Sequence, residues 1–161
     1  MNETQAADDP PAIRTSIDVR RPLDETFRLF TESMDRWWPL ASHSVGRRDA
    51  ASCAMEGRVG GHIFERTRGG DVHVWGTVLV WEPPRRLVCT WHPGRSADQA
   101  TEVEIGFTAV GDGVTRIDLE HRGWAALGAQ ATTIQSGYVE GWDFVLGQCF
   151  GGFAGPPAGP P

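Results

Sequence analysis

From about Ala51 to Gly123 the apolar residues recur at every second position, and beyond Gly123 they recur with helical spacing. A period of two buries one face of a strand, whereas a period near 3.6 buries one stripe of a helix. A chain that makes this switch late has to lay a final helix against a sheet. The cleanest hairpin comes just before the switch. Val103, Ile105 and Phe107 alternate with Glu102, Glu104 and Thr108, giving one buried face and one wet face. Gly111-Asp112-Gly113 forms a three-residue turn. The register that follows sets Phe107 opposite Ile117, Ile105 opposite Leu119 and Val103 opposite His121. His121 is thus expected to point inward at the far end of a strand.

Upstream, Ile13, Thr15, Ile17 and Val19 alternate with polar residues and predict a first strand. Pro22 opens a helix with Asp24 and Glu25 near its positive dipole end. Leu23, Phe27 and Phe30 give that helix an apolar face, and Trp37-Trp38-Pro39 ends it before a polar loop that runs to Asp49. Gly60-Gly61 opens a strand that Gly69-Gly70 closes, Asp71 to Trp81 is the next, and Leu87 to Trp91 returns after Glu82-Pro83-Pro84-Arg85. The longest helix is predicted over Gly128 to Phe150, with Ile134, Tyr138, Trp142, Val145 and Cys149 near one face. Gly137 and Gly141 each weaken it by ~1 kcal/mol relative to Ala, which implies that something packs closely on its backbone. The fold class is α+β, an antiparallel sheet with helices on one face, and a curved antiparallel sheet around a long C-terminal helix would leave a cavity between them.

A length of 161 residues suits one domain with a core that needs no disulfide. The expected organisation is a disordered tail over 1–12, the domain over 13–153 and a Gly/Pro-rich tail over 154–161. The net charge of -6, with 15 basic residues scattered among 21 acidic ones, excludes a nucleic-acid surface. No apolar run is long enough for membrane insertion, and the polar, acidic N-terminus is no signal peptide. Cys53, Cys89 and Cys149 are odd in number and far apart, so a reduced, cytoplasmic protein is the expectation.

Seven tryptophans against one tyrosine exceed what packing alone requires in a small domain. Pairing across Gly69-Gly70 is expected to set Phe64 opposite Trp75, with Trp91 on the same face. The opposite face of these strands carries Ile63, Val72, Val74, Val78 and Val80, so which side is inward stays open. The candidate ligand-binding residues are Trp38, Phe64, Glu65, Trp75, Trp91, His121, Trp124, Tyr138 and Trp142. His121 is also the candidate acid/base, since an ordinary imidazole titrates near neutrality; the alternative is a core histidine held by a hydrogen bond. Glu65 reads either as a solvated strand residue or, facing inward, as a hydrogen-bonding or ion-pair partner beside Arg66.

Other chemistries find no pattern. Five histidines and three cysteines show no metal-ligand spacing. His62 and His73 could meet across a hairpin, but without a carboxylate, so neither a metal nor a cofactor is expected. No Gly-x-Ser-x-Gly elbow is present, and the glycines from Gly57 to Gly61 lack the Lys and helix start of a phosphate loop.

The order of elements is similar to the START-like SRPBCC superfamily, whose fold is the helix grip. Trp37-Trp38-Pro39, Gly60-Gly61 with Phe64-Glu65-Arg66, Trp75-Gly76, Trp81-Glu82-Pro83-Pro84-Arg85-Arg86-Leu87, Trp91 and Gly141-Trp142 carry a closer resemblance. They resemble the branch of homologues of the activator of the heat-shock-protein-90 ATPase, over roughly Ile13 to Phe153. That resemblance implies carriers of lipids and other hydrophobic ligands, or polyketide cyclases. The first expectation is therefore binding of a small hydrophobic molecule, aromatic or lipid-like, without turnover. A cyclase or dehydratase using the same cavity is the second. The third is a co-chaperone-like activator with a chaperone partner, although the additional domain of the eukaryotic co-chaperone finds no room here. Monomer and homodimer both stay open.

Overall fold

Strand β1 (Ile13–Val19) leads into helix α1 (Leu23–Glu32) and a short helix α2 (Met34–Trp37). A loop and a 3₁₀ turn (Arg47–Asp49) precede strands β2 (Ala50–Met55), β3 (His62–Thr67), β4 (Val72–Glu82), β5 (Arg86–Trp91), β6 (Thr101–Gly111) and β7 (Val114–Arg122). The computed structural model describes residues 9–155, so the sequence expectations for 1–8 and 156–161 lie outside the described residues. The strands form one seven-stranded antiparallel sheet in the order β1-β7-β6-β5-β4-β3-β2, curled into a half-barrel around the C-terminal helix. This is the helix-grip architecture.

The β6–β7 hairpin has the register its alternation predicts, with Phe107 opposite Ile117, Ile105 opposite Leu119 and Val103 opposite His121. All six side chains are buried. On the convex face, Arg122 bonds Glu102, Glu104 and Glu120, and Arg86 bonds Glu104. The Arg86 and Arg122 guanidiniums hold the Glu104 carboxyl below the usual range. Charge on one face and hydrocarbon on the other give this hairpin a single register.

Strands β3 and β4 depart from the predicted pairing. Phe64 stands opposite Val74 and Ile63 opposite Gly76, so Trp75 is the additional residue of a bulge. Leu79 is passed over in the same way against β5. The two bulges bring Trp75, Val78 and Trp81 to the concave side, with Ile63 and Glu65 of β3. Phe64 is thereby turned to the convex side, under the Arg66 guanidinium at 5.9 Å. His62 faces Thr77 and His73 faces Glu65, so the two histidines do not meet. At Gly76 a Cβ would lie 1.7 Å from the Thr90 carbonyl oxygen. Only glycine lets β5 approach this closely.

The closing helix starts later than predicted. Gly123 (φ +84°) ends β7, and a 3₁₀ stretch (Trp124–Gln130) is broken at Gly128 (φ 58°, ψ -130°). Helix α3 (Ala131–Trp142) then runs into a π-helical stretch (Asp143–Phe150) and a last turn, α4 (Gly151–Ala154). Its apolar side, with Trp142, Val145, Leu146 and Phe150 buried, fills the concave face. At one end α1 packs in as well. Phe27, Phe30, Trp37, Trp81, Phe107 and Phe150 stack edge-on or tilted there, at centroid distances of 4.9 to 5.6 Å. Such pairs add to area burial in holding a core.

Candidate functional site

Glu65 is fully buried on β3, and its carboxylate accepts three N–H groups. Val45 N–H donates at 2.6 Å, Gly46 N–H at 2.8 Å and Trp75 Nε1 at 2.7 Å. Three converging donors can hold a buried carboxylate without a cation beside it. Arg66 points to the convex face and takes no part. The carboxylate therefore fastens the loop after α2 onto the concave side of β3 and β4. Trp38 Nε1 donates to the His43 carbonyl at 2.7 Å and closes the same loop from its other end.

His121 is also fully buried, and both of its ring nitrogens are engaged. Trp142 Nε1 lies 2.9 Å from Nδ1, and Thr101 Oγ1 lies 2.6 Å from Nε2. An indole can only donate, so Nδ1 accepts and Nε2 carries the proton. The Nε2–H then donates to Thr101, whose hydroxyl donates to the Trp91 carbonyl at 3.0 Å. An imidazolium would set two N–H groups against each other at Nδ1. Burial first, and the positive charge of Arg95 second, push the imidazole down to about 3. His121 is thus neutral and fully committed, which removes it as an acid/base near neutral pH. It is the hydrogen-bonded core histidine of the other sequence reading.

Between these two anchors four indoles converge. Trp38 lies 5.0 Å from Trp75, 5.8 Å from Trp91 and 6.0 Å from Trp142, and Trp91 lies 5.7 Å from Trp75 and 5.5 Å from Trp142. Tyr138 stacks on Trp142 at 6.3 Å. Trp38, Trp91, Trp142 and Tyr138 line a pocket of ≈ 400 Å³, a size suited to a small organic molecule. Val145 and Gly141 complete the helix side. A Cβ at Gly137 or Gly141 would meet nothing within 4 Å. The expected close packing at these glycines is replaced by open space, and at Gly141 that space is the pocket.

The mouth comes from two loops, with Ser42, His43, Ser44, Val45 and Arg47 on one side and Pro93 and Gly94 on the other. Arg47 has φ +52°, a conformation that is uncommon outside glycine and costly for a long side chain. Ser42 Oγ lies 2.7 Å from His43 Nδ1. Burial, then Arg47, lower the His43 pKa. Among the described residues no Asp or Glu lines the pocket, although the chain carries a net charge of -6. Cys53 and Cys89 are pushed up to about 12 by burial, so neither offers a thiolate. Among the described residues no three His, Cys, Asp or Glu side chains are grouped to hold a metal ion, and no helix is long and apolar enough to cross a membrane.

The family model "Activator of Hsp90 ATPase homolog 1-like protein" matches residues 20–148. The chain belongs to this family. The solved structure of "An anthrahydroquino-Gama-pyrone synthase Txn09 complexed with SUM" is similar at 34% identity and TM-score 0.57, over 79% of this chain and 86% of that one. CalC from Micromonospora echinospora, a self-sacrificing resistance protein, is similar at 24% identity and TM-score 0.65, over 92% and 98%. An HSP90 activator from Plasmodium falciparum shares the fold at 17% identity and TM-score 0.53, over 86% and 97%. No curated protein matches the chain.

In this member of the Hsp90-activator-like family, the candidate residues fall into three places. Trp38, Trp91, Tyr138 and Trp142 line the pocket. Glu65, Trp75, His121 and Trp124 stand behind it, with the Trp124 indole capping the His121 carbonyl at 3.1 Å. Phe64 lies on the convex face. The two mouth loops, including His43 and Arg47, escaped the sequence reading because loop residues carry no period. The available signal was Glu65: a carboxylate facing inward needs N–H donors, and a neighbouring loop is where free ones are found.

Proposed function

We propose that this protein binds a small, largely apolar aromatic molecule in the pocket between the C-terminal helix and the two mouth loops. The observation that carries the reading is the indole cage itself, with three of its four rings forming the pocket wall. Indole faces favour flat aromatic ligands through offset and edge-on stacking. The 34% identity to a synthase named for a fused quinone-type aromatic supports an aromatic ligand over a lipid chain. Titration with a hydroxyanthraquinone, followed by intrinsic fluorescence on protein stripped of endogenous ligand, tests it. Saturable quenching is expected in the parent and marked weakening in Trp142→Ala. No saturable change with any flat aromatic probe would end the proposal.

That same identity favours a second reading, in which the pocket also turns its ligand over as a cyclase would. His43, rather than His121, then supplies the acid/base, since it lines the pocket with Ser42 oriented on its Nδ1. His43→Gln would abolish turnover while keeping binding. Equal turnover in that variant would exclude His43 from the chemistry.

A further inference from the structure

Nearly every buried polar group around the pocket has its partner. Glu65 accepts three N–H groups, His121 uses both nitrogens, and Trp38, Trp75, Trp124 and Trp142 each donate. Among the described residues, the buried side-chain nitrogens without a hydrogen-bond partner are Trp91 Nε1, Arg95 Nε and Arg95 Nη2. All of them belong to one short segment leaving β5. Pro93 and Gly94, between the two residues, form part of the pocket wall. An unmet buried N–H is rare in a native protein, and an unmet guanidinium N–H is costlier still. Their concentration beside the pocket leaves three donors in one place for an acceptor that enters it.

Charge favours an anion. Arg47 stands at the mouth, and among the described residues no carboxylate lines the pocket. Among the described residues the buried carboxylate, Glu65, is saturated by its three donors, and Glu102, Glu104 and Glu120 are taken by Arg86 and Arg122 on the convex face. Arg95 itself is fixed in a tight turn. Its N–H donates to the His92 carbonyl at 2.8 Å, and His92 Nδ1 lies 3.1 Å from the Arg95 carbonyl.

We infer that the segment from Trp91 to Arg95 recognises an ionised oxygen, a carboxylate or phenolate, on the flat aromatic ligand. This rests on the aromatic-ligand reading above. The guanidinium takes the charge through two N–H groups and the Trp91 indole adds a third donor. Trp91 lines the pocket and Arg95 follows directly on the Pro93-Gly94 wall, so the oxygen is met at the edge of the pocket that this turn forms. Gly94, at φ +74°, allows that turn its conformation.

Two probes of similar shape test this, anthraquinone-2-carboxylate and 2-methylanthraquinone. The parent is expected to bind the carboxylate ~10–100-fold more tightly, the range for hydrogen bonds to charged groups. Arg95→Met should remove most of that preference and leave affinity for the methyl compound unchanged. In ¹⁵N–¹H spectra, the indole resonance missing from Trp91→Phe should move further downfield with the carboxylate, which bonds the N–H, than with the methyl compound, which only stacks near the ring. Equal affinities in the parent, or a preference that survives Arg95→Met, would overturn the assignment while leaving the aromatic pocket intact. Binding of neither probe would overturn both.

Discussion

Trp142 Nε1 donates to His121 Nδ1 at 2.9 Å, and this bond joins the closing helix to the last strand across the back of the pocket. Each residue satisfies the other in a place where water does not reach. Replacing Trp142 by Phe keeps most of the apolar bulk but leaves an imidazole nitrogen unmet. A loss of ~1–3 kcal/mol in stability is expected. Trp142→Ala removes the ring as well and should lose ~3–5 kcal/mol. Urea denaturation of the two variants separates the bond from the packing, and equal losses would mean that the bond adds nothing.

His121 makes stability depend on pH with a definite sign. The unfolded imidazole protonates below about pH 6.5, whereas the folded one stays neutral down to about 3. Its contribution is complete above the unfolded pKa and is lost as pH falls through the window between those values. The loss approaches ~1.4 kcal/mol per pH unit. Between about pH 7 and 5 the parent should therefore lose roughly 2 kcal/mol more than His121→Gln does. Carboxylates titrate alike in both proteins, so the difference isolates the histidine. Parallel stability curves would contradict the neutral assignment.

Glu65 should matter more to the mouth loop than to the sheet. Glu65→Gln replaces one acceptor oxygen by an NH₂ group, which then faces an N–H it cannot bond. A destabilisation of roughly 2–3 kcal/mol is expected. Hydrogen exchange gives the sharper reading. The Val45 and Gly46 amides, bonded to this carboxylate at 2.6 and 2.8 Å, should exchange much faster in the variant, while those of β6 keep their protection. Unchanged exchange at Val45 and Gly46 would show that the loop is held by something else.

Gly76 admits no side chain. With the Thr90 carbonyl 1.7 Å from where a Cβ would sit, Gly76→Ala has to part β4 from β5 beside Trp75. A loss of about 4 kcal/mol or more is expected, as for other severe backbone clashes. Gly137→Ala is the control, because its Cβ would meet nothing within 4 Å. It should gain up to ~1 kcal/mol in helix propensity. Thermal melts of both variants check the pair.

The sequence by itself determined the helix-grip architecture and the β6–β7 register. Strict alternation, a three-residue turn and a charged outer face leave that hairpin only one pairing in which Val103, Ile105, Phe107 and His121 are all buried. The same local reasoning failed at Phe64, and the reason is physical. Which face of β3 and β4 turns inward depends on bulges at Trp75 and Leu79, and a bulge shifts every later residue to the opposite face. Nothing within β4 announces them. They accompany contacts from elsewhere in the chain: the Thr90 carbonyl pressed against Gly76, and the Glu65 carboxylate waiting for the Trp75 indole. Only the tertiary structure could bring the mouth loop to Glu65 or turn His121 from a candidate acid/base into a neutral, doubly bonded core residue. Both outcomes depend on partners far away in sequence, Val45 and Gly46 for one, Thr101 and Trp142 for the other.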